Sequence, residues 1–309
     1  MILKKCAKKY LSKAVNFVLL QSNIVVIYRI GRAIGDQVCM TSVVRFLSEQ
    51  YSFKVVVISS YPMIFDHNPY VWKLIDANKF GGYLVRFLRF LSGGQIENFL
   101  FKEQGVPFVD FMRNDGSELH LVQAHSLHFN NEINHKKIIN QLFLTDQEIE
   151  QCRIKFNLPK RFSIIQPNAK ATYTPNKQWA LKNFQKVVGL REDIHWVQVG
   201  GENEYLLDHV DDLRGETTLR ELFYLISKAE FVLANEGLLN HIASAFNTMS
   251  YVIFSGFSGM KLASYSNTIG FVSANVCEKS PCWLLEECGV EGKPCLSTIK
   301  PESVADKIV

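Results

Sequence analysis

The sequence predicts an α/β protein of two halves, each built on a parallel sheet. Three observations predict it. The chain opens with a strand, a glycine-bearing turn, a helical pattern and a second strand between residues 24 and 58. From residue 162 it alternates strand and helix with regular spacing, and its 309 residues suffice for two domains that each bury a core. With 47% hydrophobic and 21% charged residues the composition is globular, not disordered. No run reaches the ~18 uncharged apolar residues of a membrane span. The net charge of +4 is mild and the aromatic residues are not interleaved with lysine and arginine, so no nucleic-acid partner is expected. Seven cysteines, an odd number without a secretory signal, suit a reducing cytoplasm better than a disulfide framework.

Residues 1–23 read as a basic amphipathic helix. Lys4, Lys5, Lys8, Lys9 and Lys13 fall on one side and Leu3, Cys6, Tyr10, Ala14, Phe17 and Val18 on the other. That is the pattern of a helix lying in an anionic membrane interface, and a helix packed on the following domain would share it. The first domain is expected over 24–157. Its strand Ile24-Val25-Val26-Ile27-Tyr28 leads into Arg29-Ile30-Gly31-Arg32-Ala33-Ile34-Gly35-Asp36, a helical pattern through Val43, Val44, Phe46 and Leu47, and the strand Lys54-Val55-Val56-Val57-Ile58. The turn spacing, Gly-x3-Gly-Asp, is not the Gly-x-Gly-x-x-Gly of a dinucleotide fold. Gly31 and Gly35 leave room for a ligand. Asp36 falls at the helix start, where the dipole favours a carboxylate whether or not it has another task. Residues 61–144 are weakly patterned, with helices expected near 83–91 and 132–143. His120, His125, His128 and His135 lack the spacing of a zinc motif and are read as surface, capping or acceptor-side groups.

Asn157-Leu158-Pro159-Lys160-Arg161 is the expected linker, and the second domain is expected over 158–309. Its first strand, Phe162-Ser163-Ile164-Ile165, is followed by a polar loop from Gln166 to Gln178, a helix near 180–190 and a strand at 195–199. Gly200-Gly201, a helix near 203–209, a helix near 218–228 capped by Thr217 or Thr218, and the run Phe231-Val232-Leu233 come next. Ala234-Asn235-Glu236-Gly237-Leu238-Leu239-Asn240-His241 then turns from strand into helix. The first amides of that helix lack intrahelical partners and attract anions, and Gly237 lets a phosphate approach the backbone. An ordinary capped helix would show the same pattern. Lys177, Gly200, Glu204 and Glu236 all follow strands at the carboxyl edge of the sheet, where ligands of parallel α/β folds bind.

Five segments, taken in order, resemble glycosyltransferase family 9, the ADP-heptose:lipopolysaccharide heptosyltransferases. They are Arg29 to Asp36; Pro167-Asn168-Ala169 with Lys177-Gln178-Trp179; Gly200-Gly201-Glu202-Asn203-Glu204; Leu213-Arg214-Gly215; and Asn235-Glu236-Gly237 with His241. The resemblance runs from about residue 24 to the C-terminus and is weakest between about 80 and 130. It implies a GT-B fold, two Rossmann-like domains facing across a cleft, with the acceptor on the first and the nucleotide-sugar on the second. It also implies an inverting transfer without a catalytic metal. Asp36 matches the carboxylate proposed as general base, Lys177 a lysine near the donor diphosphate, and Glu204 an acidic residue at the ribose. Glu236, Gly237, Leu238 and His241, with Gly200, Gly201 and Thr172, match the donor side, while Arg29, Arg32 and Gly35 fall on the acceptor or phosphate side. Two departures bear on the sugar: inner-core heptosyltransferases commonly have Asp where Glu236 stands, and their Thr-Thr pair is Thr172-Tyr173 here.

The chemistry suits these residues. A carboxylate that takes the proton of an attacking hydroxyl is worth a factor of about 10² to 10⁴. Helix N-terminal amides and a lysine meet the charge that grows on a leaving diphosphate. Near the end, Cys277, Cys282, Cys288 and Cys295 gather in one loop with Pro281, Gly289, Gly292 and Pro294. A thiolate site for zinc or iron, packed thiols, or a partial disulfide each accounts for them. Some members of the family carry a cysteine-ligated iron, which implies a structural ion here if one is bound.

The expectation is a cytoplasmic glycosyltransferase, peripheral on the inner face of the inner membrane and attached to its anionic surface. It moves a sugar, heptose from ADP-heptose being one candidate, to lipopolysaccharide or another surface-glycan or lipid-linked acceptor. No cofactor beyond the nucleotide-sugar is expected for catalysis. The alternatives are a non-catalytic GT-B scaffold that binds a nucleotide or glycan, and a GT-B transferase or epimerase using another nucleotide-sugar.

Overall fold

The computed structural model describes residues 21–29, 33–79, 112–113, 119–126, 138–170, 173–273 and 276–309. The amphipathic helix expected at the N-terminus and the helix expected near 83–91 lie outside them. The chain divides into two compact units, Met1–Phe108 with Leu121–Phe143, and Val109–His120 with Leu144–Val309.

In the first unit β1 (Ile24–Arg29), α1 (Ile34–Tyr51), β2 (Lys54–Ser59) and β3 (Val71–Asp76) form a parallel sheet of order β1-β2-β3 with its crossover helix. Ile24 pairs with Lys54 and Tyr28 with Ile58. The β-branched run of β2 is buried on both faces, as parallel strands covered by helices are. Helix α1 turns Val38, Val43, Val44 and Leu47 fully inward and stops at Ser52, whose φ of 54° cannot continue a helix. The short helix α2 (Leu121–Ser126) packs on α1. His120 and His125 are buried, not at the surface. The helix expected over 132–143 is not found in its described part: residues 138–143 are irregular. Their polar groups bond α1 instead of one another, the Gln141 amide donating to Thr41 Oγ1 (2.9 Å) and Ser42 Oγ to Asn140 Oδ1 (2.8 Å).

In the second unit the elements are α3 (Asp146–Phe156), β4 (Ser163–Gln166), α4 (Leu181–Leu190), β5 (Trp196–Gln198), β6 (Asp211–Asp212), α5 (Leu219–Lys228), β7 (Phe231–Asn235), α6 (Leu238–Phe246), β8 (Met249–Ile253), β9 (Thr268–Phe271), α7 (Pro294–Ser297) and α8 (Pro301–Ala305). Six parallel strands lie in the order β6-β5-β4-β7-β8-β9. The core on one face gathers Trp179, Phe184, Val187, Trp196, Leu233, Ile253 and Val304, with Trp179 and Phe184 edge to face at 4.9 Å. Each such buried side chain contributes about 2–3 kcal/mol. The helix expected near 203–209 is a run of turns. Gln198 captures that stretch, its Nε2 donating to Tyr205 O (2.6 Å) and its Oε1 accepting from the Leu207 amide (2.9 Å). Among the described residues no helix is long and apolar enough to cross a membrane.

Helix α3 belongs with the second unit, so the division falls before it and not at the proline-bearing stretch 157–161. Lys155 pairs with Glu221 at 2.8 Å, and Glu148, half of the Thr145 capping box, pairs with Arg220 of α5 at 2.6 Å. The Arg220 hydrogen bond, reinforced by Thr145, holds the Glu148 carboxyl down at about 2 from an ordinary 4.5. Because the folded value is the lower one, this stabilisation is complete above 4.5 and is lost as pH falls toward 2. Arg220→Met is expected to cost roughly 1–3 kcal/mol at neutral pH and to flatten the acid slope in that window. Urea midpoints measured across that range check it, and an unchanged slope would contradict it.

Candidate functional site

The strand order of the second unit reverses between β4 and β7. From β4 the chain moves outward to β5 and β6, then returns to start β7 on the other side. Gln166 lies opposite Ala234, so the loop after β4 and the turn after β7 leave the sheet side by side, at the point where parallel α/β sheets bind ligands.

One side chain joins them. Asn235 ends β7 and is 5% exposed. Its Nδ2 donates to Pro167 O (2.8 Å) and its Oδ1 accepts from the Trp179 amide (3.0 Å), so it holds both ends of the loop 167–179. Gln178 closes the loop from inside, donating to Pro167 O (2.8 Å) and accepting from the Ala169 amide (2.7 Å). Within the loop a 3-10 turn, Pro175–Lys177, starts at Thr174 and carries Lys177 back over the sheet edge. The Lys177 ammonium forms an ion pair with the Glu236 carboxylate, the two side chains being 16% and 6% exposed. It also lies over the rings of Phe257 (4.9 Å) and Tyr173 (5.5 Å), a setting that favours a cation.

Gly237 is the N-cap of α6, with no side-chain cap and no acidic residue in the first turn. A Cβ added there would meet only Asn235 O, at 3.9 Å. The first amides of α6 thus have no side-chain cap, and a helix of nine residues has the dipole to favour an anion at that end. His241, one turn further, is buried; its Nδ1 shares a 2.7 Å hydrogen bond with the Tyr265 hydroxyl.

Gly200 and Gly201 follow β5. Gly200 has φ 146°, and a Cβ on it would strike the Glu204 carboxylate and come within 3.7 Å of the Gln166 amide at the end of β4. Glu204 is thus folded over the glycine turn beside the same sheet edge. Burial pushes its carboxyl above the ordinary range, and its Oε2 has no hydrogen-bond partner among the described residues. Arg214, paired with Asp212 at 2.8 Å, donates to Glu204 O.

In the first unit Asp36 lies in the first turn of α1, half-buried, with Gly35 beside it, and Arg29 ends β1. Gln37 is fully buried. It accepts from Ser59 Oγ and donates to Ser60 Oγ (3.3 Å), pinning the rotation of α1 to the end of β2. Arg32 and Thr172 lie outside the described residues. The structure thus joins Lys177 to Glu236 and Glu204 to Gly200 on one sheet edge, and places Asp36 on the other unit. Asn235, Phe257 and Tyr265 carry contacts that the sequence reading assigned to no role; the buried amide at the last position of an apolar strand was the available signal for Asn235.

Cys277, Cys282, Cys288 and Cys295 line one cavity of about 20 Å³ together with Asn176, Phe257 and Lys293. The six described cysteines are free thiols, so the partial disulfide is not formed. Burial raises the Cys282 thiol. Among the described residues no three groups of metal-binding type stand close enough to hold an ion as they are. In kind, four thiols on one small cavity suit a soft ion.

Solved structures define the class. The chain aligns over 92% of its length with 95% of a family 9 glycosyl transferase from Veillonella parvula, at 13% identity and a TM-score of 0.67. It aligns over 91% with 96% of the ADP-heptose lipopolysaccharide heptosyltransferase II of E. coli, at 16% identity and 0.64. Over 92% it matches 74% of the iron-containing dodecameric glycosyltransferase TibC of enterotoxigenic E. coli, at 12% identity and 0.65. The fold is that of the GT-B glycosyltransferases. No curated protein sequence matches the chain. The family model "Glycosyltransferase family 9 (heptosyltransferase)" matches residues 112–287, more than half of the chain. The chain therefore belongs to glycosyltransferase family 9, and it is a glycosyltransferase.

Gly200→Ala is expected to lower stability by about 1–3 kcal/mol, because the backbone conformation is strained for any side chain and the new methyl meets Glu204. Adding Glu204→Ala should recover only the part due to the collision. Thermal unfolding checks both, and a Gly200→Ala protein as stable as the parent would contradict the geometry.

Proposed function

We propose that the protein transfers a sugar, with inversion, from a nucleoside-diphosphate sugar to a hydroxyl of a surface-glycan or lipid-linked acceptor, and that ADP-heptose, the donor named for heptosyltransferase II, is the first donor to test. The observation that carries this reading is the Lys177–Glu236 pair, whose carboxylate belongs to the residue just before the uncapped N-terminal amides of α6. A diphosphate on those amides shares the Lys177 ammonium with Glu236, and the charge that develops on the leaving group is met by groups already in place. Glu204 at the glycine turn serves the ribose. Asp36 is the base for the acceptor hydroxyl, without a catalytic metal ion. Glu236, one methylene longer than aspartate, narrows the space for the sugar and makes the donor sugar the open variable.

Asp36→Asn should lower transfer by about 10² to 10⁴ while nucleotide binding stays close to that of the parent; transfer at the parent rate would remove Asp36 as the base. Lys177→Ala should weaken binding of a nucleoside diphosphate by about 10- to 100-fold, the worth of a hydrogen bond to a charged group. Diphosphate release with and without acceptor separates the alternatives: release or sugar isomerisation without acceptor marks an epimerase-like enzyme, and nucleotide binding without turnover marks a scaffold.

The same proposal places the protein on an anionic membrane surface through the lysine-bearing residues 1–23. Removal of residues 1–20 should abolish co-sedimentation with anionic vesicles, and retained sedimentation would contradict it. A structural zinc or iron ion held by Cys277, Cys282, Cys288 and Cys295 would cross-link their loop. The shared cavity and the iron of TibC support it.

A further inference from the structure

We propose that Asn176 is a positioning residue for Lys177 and couples the cysteine-lined cavity to the donor side, an inference that rests on the phosphate role given to Lys177. Asn176 is 4% exposed, so its amide has no recourse to bulk water. Its Nδ2 donates to Leu284 O (2.8 Å) and Glu286 O (2.7 Å), and its Oδ1 accepts from the Cys288 amide (3.3 Å). All of that bonding goes to the segment between Cys282 and Cys288. The neighbouring residues are tied to the same loop. Thr174 Oγ1 donates to Leu284 O (2.8 Å), and Lys293 Nζ to Pro175 O (3.2 Å). Each residue of 174–176, the three that lead into Lys177, thus hangs from the cysteine loop.

Phe257 supplies a second route. Its ring lies 4.9 Å from the Lys177 ammonium and forms part of the cavity wall with the four thiols. It packs 5.2 Å from the Trp283 ring, while the amides of Cys282 and Trp283 donate to Gly256 O and Phe257 O, both at 2.9 Å. The cavity has room for roughly one water molecule. The four thiols are part-buried, and a group attached to one of them that extends into the cavity must displace the segment 284–288 or Phe257, both of which end at Lys177. The state of the thiols is therefore felt by the cation that meets the diphosphate.

The test uses ADP as probe and calorimetry of the parent, Asn176→Ala, Lys177→Ala and the double variant, each checked for cooperative melting. A residue that acts through Lys177 has nothing to position once the lysine is gone. Asn176→Ala should weaken ADP binding by about 3- to 10-fold, and the double variant should bind no more weakly than Lys177→Ala alone. Additive losses would overturn this proposal and leave the donor reading standing. Lys177→Ala binding ADP as tightly as the parent would overturn the donor reading, and this proposal with it. Should Asn176→Ala not fold, the unmutated chain serves: iodoacetamide adducts on the cavity thiols, located by peptide mass spectrometry, should weaken ADP binding and leave that of Lys177→Ala unchanged. Adducts at these thiols without effect on the parent's ADP affinity would overturn the coupling.

Discussion

The paired loops at the β4–β7 edge depend on the Asn235 amide. A parallel sheet whose strand order reverses brings two loops to one place but leaves their ends free to drift. Asn235 removes that freedom. It sits at the last ladder position of β7, too buried to exchange its partners for water, and takes one hydrogen bond from the end of the loop 167–179 and gives one to its start. Breaking either leaves a buried polar group unpaired, at about 1–3 kcal/mol. The next residue, Glu236, then meets Lys177 as a consequence of where Asn235 holds the loop.

The ion pair between Lys177 and Glu236 is poor evidence of stability, since burying both charges offsets much of their attraction. Its value lies in readiness. Without the carboxylate, Lys177 would be a nearly buried cation against two aromatic rings; with it, the charge is held by the residue that precedes the N-cap of α6. On the proposed reading an arriving diphosphate would share the ammonium with Glu236, with little reorganisation of the protein. Glu204 stands in a different setting, folded over Gly200 with a raised carboxyl and an oxygen that has no hydrogen-bond partner among the described residues; the proposed ribose hydroxyl would supply one.

Much of this was legible from residue order. Strands β1, β2, β4, β5 and β7 were visible because buried parallel strands are continuous apolar runs, and α5 because Thr217 or Thr218 offered a cap at its start; β3, β6 and β9 were not, β6 being the exposed pair Asp211-Asp212. The family motifs singled out Lys177, Gly200, Glu204, Glu236 and Gly237, which the structure sets on one sheet edge. The helix expected near 203–209, and the described part (138–143) of the one expected over 132–143, were misjudged where side chains from elsewhere compete for backbone groups: Gln198 captures the stretch after Gly201, and Thr41 and Ser42 hold residues 140–141. Local pattern contains neither partner. The meeting of Lys177 with Glu236 was beyond it as well, because it follows from strand order and from an asparagine whose two bonds reach far along the chain.

A crystal structure with a nucleoside diphosphate bound tests the central claim most directly. The account predicts the phosphates on the Gly237 and Leu238 amides, within hydrogen-bond distance, with the Lys177 ammonium turned onto them. Phosphates bound elsewhere, with Lys177 still closed on Glu236 and the α6 terminus bare, would contradict it.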